Sequence, residues 1–532
     1  MAESGRSGTN GMGGVNGTGA QTRLGGLLNG HTAAPAAPAA LALQVATGPG
    51  ASAPAAGPSG LGSLAALPGI LPVPWTEITR LRQKVADDIG QVKREQRQAG
   101  HELSLQDQEE VARARILRRV AAWAPEWAKE HVPLGAEDLE RIRSEIFNLL
   151  FLAGALQKVL DQPGVEDVLI DGPWMYVDYY GQPRQRLRSP FSSRDQAVEW
   201  VNQMAAESGH GERQLSYATG SVDFRLPDDS RVAATLLTSE HVIAIRRHVL
   251  KSSTLEDLIA WGTVDWPLAA FLSKAVKAGL SMIIAGDMAA GKTTMLRALG
   301  REIPQHERIA TLESDRELFL DTDETPAHVL AFEARQGNGE IDAAGRLSGQ
   351  VTLAELVRIA LRYKANRVLV GEVRGDEAIA MLQAMLRGGA GSMCTLHAKD
   401  PEAVIDSLMI PLVEGGMSDR AAYRLIAGAV DLVVYVDRID ESYLVDPLTQ
   451  HYGRNHRFVT HVWETAGLAE GGGVALAQLF APRDEEVRAV RTRTPMDERR
   501  LAKLIRAGYQ RQWLHDYPDG QWQPLQLIGT AL

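Results

Sequence analysis

An apolar pentad, Ser281-Met282-Ile283-Ile284-Ala285, runs directly into Gly286-Asp287-Met288-Ala289-Ala290-Gly291-Lys292-Thr293, and the helix-forming stretch Thr294-Met295-Leu296-Arg297-Ala298-Leu299 follows. A buried strand, a turn of small residues and a helix N-terminus in that order leave few choices of fold. Backbone N–H groups converge on one point, with the positive end of a helix dipole behind them. The eight central residues have the form G-x-x-x-x-G-K-[ST], the phosphate-cradling P-loop. In such a loop Gly286, Ala289, Ala290, Gly291, Lys292, Thr293 and Thr294 surround a nucleoside triphosphate. Lys292 reaches the β- and γ-phosphates and the Thr293 hydroxyl ligates Mg²⁺, so ATP and Mg²⁺ are the expected ligands. A chance lysine in a glycine turn would not bring both the strand and the helix.

The 532 residues leave room for two or three domains with their own cores. A net charge of −10 argues against the basic footprint of a nucleic-acid-binding domain. One cysteine, Cys394, excludes an intrachain disulfide framework and fits a reducing cytoplasm. No apolar run reaches eighteen residues, and the N-terminus lacks a secretory pattern. Membrane association is therefore expected to be peripheral and made through partners.

Five segments follow from the texture of the chain. Residues 1–70, rich in Gly, Ala and Pro, cannot bury enough apolar surface to offset ordering entropy and read as a disordered tail. Residues 71–163 read as helical, with Ile78, Leu81, Val85, Ile89 and Val92 at three- and four-residue spacing, and further helices near 111–120 and from Ala136. Residues 164–250 alternate short strands (165–171, 175–180, 221–226, 231–238 and 242–247) with a helix over 194–206, an α+β pattern. Residues 251–482 alternate helices with buried strands at 281–285, 308–313, 367–371, 392–396, 432–436 and 458–463, the grammar of a mostly parallel α/β sheet. Residues 483–532 read as a helical tail, with a helix opening at Thr494-Pro495. Its arginines Arg488, Arg491, Arg493, Arg499 and Arg500 are interleaved with acids and read as a mixed-charge solvated face.

Three further boxes carry groups a triphosphate site needs. The strand Arg367-Val368-Leu369-Val370 delivers Gly371-Glu372-Val373-Arg374-Gly375 to its C-terminal end, where ligands of open α/β sheets gather. Thr311-Leu312-Glu313-Ser314-Asp315-Arg316-Glu317 puts several carboxylates at another strand end; the same spacing also suits a helix capped by Ser314 or Asp315. Thr395-Leu396-His397-Ala398 ends a strand on a histidine, which serves structure as readily as phosphate sensing. Upstream, Arg225 and Arg231 flank Leu226-Pro227-Asp228-Asp229-Ser230, and Arg246-Arg247 follow. Arginine forks suit phosphate oxygens and surface salt bridges alike.

Taken in order, these boxes resemble the type II/type IV secretion ATPase superfamily, most closely its CpaF-like branch that drives Tad/Flp pilus assembly. Val165-Glu166-Asp167-Val168-Leu169-Ile170-Asp171-Gly172-Pro173 also resembles the opening of that family's N-terminal domain, and the similarity spans roughly residues 75–482. The resemblance implies a RecA-like P-loop motor domain joined to a smaller α+β, PAS-like N-terminal domain, six copies to a ring. By position it makes Glu313 and Glu372 the acidic-box and Walker B glutamates, with Glu372 and Thr293 near the metal. It makes His397 the histidine-box residue and Arg225 and Arg231 the arginines that close on phosphate. Ser314 stands where the family usually carries aspartate.

The implied activity is an ATP-hydrolysing motor at the cytoplasmic face of the inner membrane, a homo-hexamer acting on a membrane platform protein, with no stable nucleic-acid partner. A DNA-translocating ATPase of conjugation or packaging shares the same core. A nucleotide-gated scaffold with little turnover is the non-enzymatic alternative.

Overall fold

The computed structural model describes residues 73–98, 101, 103–151, 153–179, 182–208, 214–322, 328–335, 337, 347–387, 391–446, 449, 452–483 and 486–528. The expected tail of residues 1–70 lies outside them. So does Gly388-Gly389-Ala390, which the sequence alone reads as part of a glycine-rich turn.

The N-terminal half begins with α1 (Trp75–Gln98), α2 (Leu105–Trp127), α3 (Ala136–Phe151) and the short α4 (Gln157–Leu160). Helix α1 buries Ile78, Leu81, Val85 and Ile89, the face expected from the spacing, while Val92 is half-buried. Helix α2 starts at a reciprocal cap in which the Ser104 hydroxyl accepts from the Asp107 amide and the Asp107 carboxylate accepts from the Ser104 amide. Next come β1 (Val165–Asp171), β2 (Trp174–Tyr179), β3 (Gln182–Arg188), α5 (Arg194–Glu207), β4 (Ser221–Arg225), β5 (Arg231–Thr235) and β6 (Val242–Arg246). The strands form an antiparallel sheet ordered β3-β2-β1-β6-β5-β4. Helices and sheet share one hydrophobic core, in which Trp200 of α5 is fully buried and donates from Nε1 to Ala153 O at 3.1 Å. Strand β3 carries no sequence signal of its own. It is a polar edge strand, held by pairing to β2 and by Arg186 and Arg188 over the Trp174 ring.

The second half comprises α6 (Leu255–Ala260), α7 (Trp266–Lys277), β7 (Met282–Gly286), α8 (Lys292–Arg301), β8 (Arg308–Glu313), β9 (His328–Glu333), α9 (Leu353–Arg362), β10 (Arg367–Val373), α10 (Glu377–Arg387), β11 (Met393–His397), α11 (Val404–Glu414), α12 (Asp419–Ala429), β12 (Leu432–Asp440), β13 (Asn455–Leu468), β14 (Val474–Arg483), β15 (Glu486–Arg491), α13 (Glu498–Arg506) and α14 (Trp513–Asp516). One nine-stranded sheet runs β15-β14-β13-β12-β7-β11-β10-β8-β9. From β12 to β9 every pair is parallel; from β12 to β15 every pair is antiparallel. Helices cover both faces of the parallel part, giving two apolar layers and an α/β fold. Strand β7, buried at all five positions, lies at the centre.

The C-terminal segment departs from the helical tail expected for 483–532. Strand β15 extends the sheet to Arg491, and α13 starts only at Glu498, capped by Asp497 rather than Thr494. Of the arginines there, Arg493 and Arg499 are exposed as expected, but the other three are not part of a solvated face. Arg488 and Arg491 are buried, the first paired with Glu486 and the second donating to Leu479 O and Thr494 O. Arg500 pairs with Asp431 and Glu464. Charged residues inside a strand hide its hydrophobic period.

Candidate active site

The loop between β7 and α8 is shaped for close backbone approach. A Cβ on Gly286 would stand 2.2 Å from the Val436 carbonyl oxygen. Ala289 and Gly291 turn the chain with φ of 59° and 95°. Helix α8 has Gly291 at its N-cap and no side-chain cap, leaving its first N–H groups for an anion. Lys292 is buried and donates to Gly286 O at 3.2 Å and Asp287 O at 2.8 Å. From β13, Arg457 braces the outside of the loop, donating from Nε to Ala289 O at 2.9 Å.

Neighbouring strand ends bring the other groups to this loop. In the order β7-β11-β10-β8 these ends carry Gly286, His397, Glu372 and Glu313. His397 Nδ1 lies 3.2 Å from Lys292 Nζ, and its Nε2 lies 2.8 Å from Glu372 Oε1. The other Glu372 oxygen pairs with Arg374. Burial lowers the His397 pKa, with the Lys292 charge adding to the effect and Glu372 opposing it. Burial likewise pushes Lys292 down to about 8, against the pull of Glu372 and Asp287.

Glu313 turns away from the loop lysine. Its Oε1 accepts from the amides of Glu317 at 2.9 Å and Leu318 at 2.8 Å, and burial pushes its pKa up to about 7. Of the acids after β8, it is Glu317 whose carboxyl feels the Thr293 side chain, a smaller effect on it than burial. No helix starts at Ser314 or Asp315, so the capping alternative is not realised; residues 314–319 form a loop. Glu317 was visible only as one acid of several. Burial raises its pKa and Asp315 adds to that, while Arg246, Arg231 and Thr293 oppose it.

The arginines come from the other sheet. Arg231 of β5 pairs with Asp315 Oδ2 at 2.8 Å, and Arg246 of β6 bridges to Asp167 at 2.9 Å while its charge reaches Glu317. Arg225 of β4 lies directly across the ladder from Arg231; it is largely buried and paired with Glu333 at the end of edge strand β9, with Asp315 and Glu313 within reach of its charge. The structure therefore gathers Lys292, Thr293, His397, Glu372, Glu317 and Arg231, with Arg225 beside Arg231 and Glu313 holding the amides of the acidic loop.

Comparison with known proteins adds a lineage to this geometry. The family model for type II/IV secretion system protein matches residues 205–462. A Mycobacterium tuberculosis (strain H37Rv) protein that bears a conjugal-transfer name is 32% identical over 300 residues, covering 54% of this chain and 80% of that one. The chain belongs to the type II/IV secretion system protein family. PtlH, a type IV secretion system protein of Bordetella pertussis, is 35% identical over 172 residues, 32% of this chain and 48% of its own. VirB11, a type IV secretion system protein of Brucella suis, is 28% identical over 309 residues, covering 53% of this chain and 83% of its own. The matched region of this secretion-family chain runs from α5 into β13 and contains every site residue named above.

The residues of this family member fit Mg·ATP. Mg²⁺ takes oxygen ligands and draws most of them from phosphate and water. Among the described residues no group of three or more His, Cys, Asp and Glu closes around a metal alone. The Thr293 hydroxyl with the Glu317 and Glu372 carboxylates would supply the protein oxygens to such an ion. Cys394 is buried in β11 and its thiol is pushed up to about 12 by burial, so it serves packing.

Proposed function

We propose that this chain hydrolyses ATP with Mg²⁺ and turns the reaction into movement of its N-terminal sheet against its nine-stranded sheet. The observation that supports it is the convergence of Lys292, His397, Glu372, Thr293 and Glu317 at adjacent strand ends, faced by Arg231 from the other sheet. Lys292, Gly291 and the first turn of α8 bind the phosphates. Thr293, Glu317 and Glu372 hold the metal. Bound Mg·ATP supplies the phosphoanhydride whose cleavage drives the cycle. Glu372 orients the attacking water, and His397, kept neutral by burial, accepts from Lys292 at Nδ1 and turns Nε2 to Glu372. Arg231 releases Asp315 and closes on phosphate charge that develops outside the loop.

The working assembly is a homo-hexameric ring at the cytoplasmic face of a membrane, powering secretion or Tad/Flp-like pilus assembly through a platform protein. Among the described residues no helix is long and apolar enough to cross a membrane, in keeping with attachment through partners. Steady-state ATPase assays on the parent, Lys292→Ala and Glu372→Gln test the reading. The parent should turn over Mg·ATP and both variants should lose about 10²-fold or more; equal, near-zero rates in all three would leave only a scaffold. The conjugal-transfer name of the Mycobacterium relatives favours one second reading, a DNA-handling motor. It predicts stimulation by DNA that falls steeply with salt.

A further inference from the structure

We infer that Arg297 is the positioning residue that ties the nucleotide-binding helix, the acidic loop and the linker between the two sheets into one unit. Arg297 lies one turn after Thr293 on α8, so the helical face that presents the Thr293 hydroxyl also carries this guanidinium. It is only 4% exposed. Its Nη2 donates to Glu317 O at 2.6 Å, its Nε to Leu318 O at 3.1 Å, and its Nη1 to Leu250 O at 2.5 Å. All three acceptors are backbone carbonyls on two separate segments.

The chemistry of that contact is specific to a fork. Burying a charge is costly unless its hydrogen-bonding groups are matched, and an apolar side chain would fill the same space without that cost. A guanidinium presents several donors in a rigid plane and holds two segments at a set separation; an ammonium is a point charge on a flexible stem. Arg297 holds the carbonyl side of the acidic loop, while Glu313 holds its amide side through Glu317 N and Leu318 N. Clamped from both sides, the loop is held against the nucleotide-binding helix α8.

The third carbonyl gives the clamp its reach. Leu250 lies in the linker between β6, which ends at Arg246, and α6, which starts at Leu255. One residue on, Lys251 Nζ donates to Asp228 O and Asp229 Oδ2 in the β4–β5 turn, both at 2.9 Å. Two residues further, the fully buried Ser253 hydroxyl donates to Thr294 O of α8 at 3.0 Å. Between Leu250 and Ser253 the chain is thus fastened alternately to the nucleotide helix, to the N-terminal sheet, and to the nucleotide helix again. Phe319, at the end of the acidic loop, touches the same linker through His248, ring to ring at 5.4 Å. A change in the position of α8 or of the acidic loop therefore reaches the N-terminal sheet through Leu250 and Lys251. This coupling rests on the ATPase reading above.

Full-length parent, Arg297→Lys, Arg297→Met and Ser253→Ala proteins provide the test, with Mg·ADP and a non-hydrolysable Mg·ATP analogue as probes. Nucleotide affinity, kcat, KM and hydrogen exchange of amides 248–254 and 314–319 are measured with and without nucleotide. In the parent, nucleotide should slow exchange in both segments together. In both Arg297 variants affinity and KM should stay within about 3-fold while kcat falls about 10-fold or more. The nucleotide response of amides 248–254 should disappear in those variants and weaken in Ser253→Ala. If Arg297→Met does not fold, Arg297→Lys and Ser253→Ala decide. Variants that keep the parent's linker response, whether kcat is retained or falls in step with affinity, would overturn the inference. A parent that binds no nucleotide would overturn the function proposed above, and this inference with it.

Discussion

Nδ1 of His397 lies 3.2 Å from Nζ of Lys292, across the boundary between the histidine strand β11 and the phosphate loop. Register explains the contact: His397 pairs with Gly286 in the parallel β11–β7 ladder, so the strand ends level with the loop it serves. Glu372 Oε1 lies 2.8 Å from Nε2 at the opposite edge of the ring, so a proton on Nε2 would leave Nδ1 to accept from the ammonium. A protonated ring would set a second cation against the ammonium. Burial and the nearby ammonium both favour a neutral imidazole beside the lysine.

Nucleotide binding should weaken above about pH 8. Burial has brought Lys292 down from an ordinary value of 10.5 to about 8, so its charge is lost as pH rises through that value. Kd for Mg·ADP, followed from pH 7 to 9.5, should rise through this window. Lys292→Arg should flatten the rise, since guanidinium stays charged.

Metal dependence should be governed by Glu317 and Thr293 together. Glu317→Gln and Thr293→Ala are each expected to raise the Mg²⁺ concentration for half-maximal activity about 10-fold or more, as loss of a charged or bound partner does. The double variant should lose little beyond either single one, because the two groups interact with each other. Additive losses in a Mg²⁺ titration would count against their acting as a unit.

Glu313 should behave as a structural clamp whose stability contribution falls with pH. Its folded pKa, about 7, is above the ordinary 4.5, so the contribution is fully present below about 4.5 and is lost as pH rises through 7. Glu313→Gln keeps the acceptor for Glu317 N and Leu318 N and removes the buried charge. Its Tm relative to the parent should accordingly be higher at pH 8 than at pH 5. Glu313→Ala strands both amides and should cost about 2 kcal/mol or more in denaturant unfolding.

Arg231 separates a surface salt bridge from a phosphate-closing arginine. Its pair with Asp315 is 40% and 29% exposed on the two sides. As a fold contact such a pair is worth under about 1 kcal/mol, so Arg231→Ala should barely move Tm. ATP turnover should nevertheless fall by about 10²-fold or more, with Arg231→Lys recovering only part of it. Unchanged turnover would reduce the residue to its salt bridge.

The phosphate loop was legible because strand, turn and helix are contiguous and each has its own local signature. The strand ends bearing Glu372 and His397 were legible for the same reason: each follows a short buried run. Strands β3, β9, β14 and β15 were not, since exposed or charge-bearing strands owe their existence to a neighbour rather than to a period. Among the acids at the end of β8, the family resemblance singled out Glu313, yet the turn taken by 314–319 folds Glu313 onto the loop's amides and leaves Glu317 as the acid that Thr293 influences. Arg225 and Arg231 look alike in sequence and differ in partner, Glu333 against Asp315.

What the amino-acid order determined alone is the phosphate cradle, the α/β alternation behind it and the supply of charged groups at strand ends. These depend on contacts between residues a few positions apart. Which strands stand side by side, which acid of the loop faces Thr293, and that Arg297 reaches the linker at Leu250 were decided only in three dimensions. Strand pairing and buried hydrogen bonds join segments tens to a hundred residues apart, and no local pattern records where such partners meet.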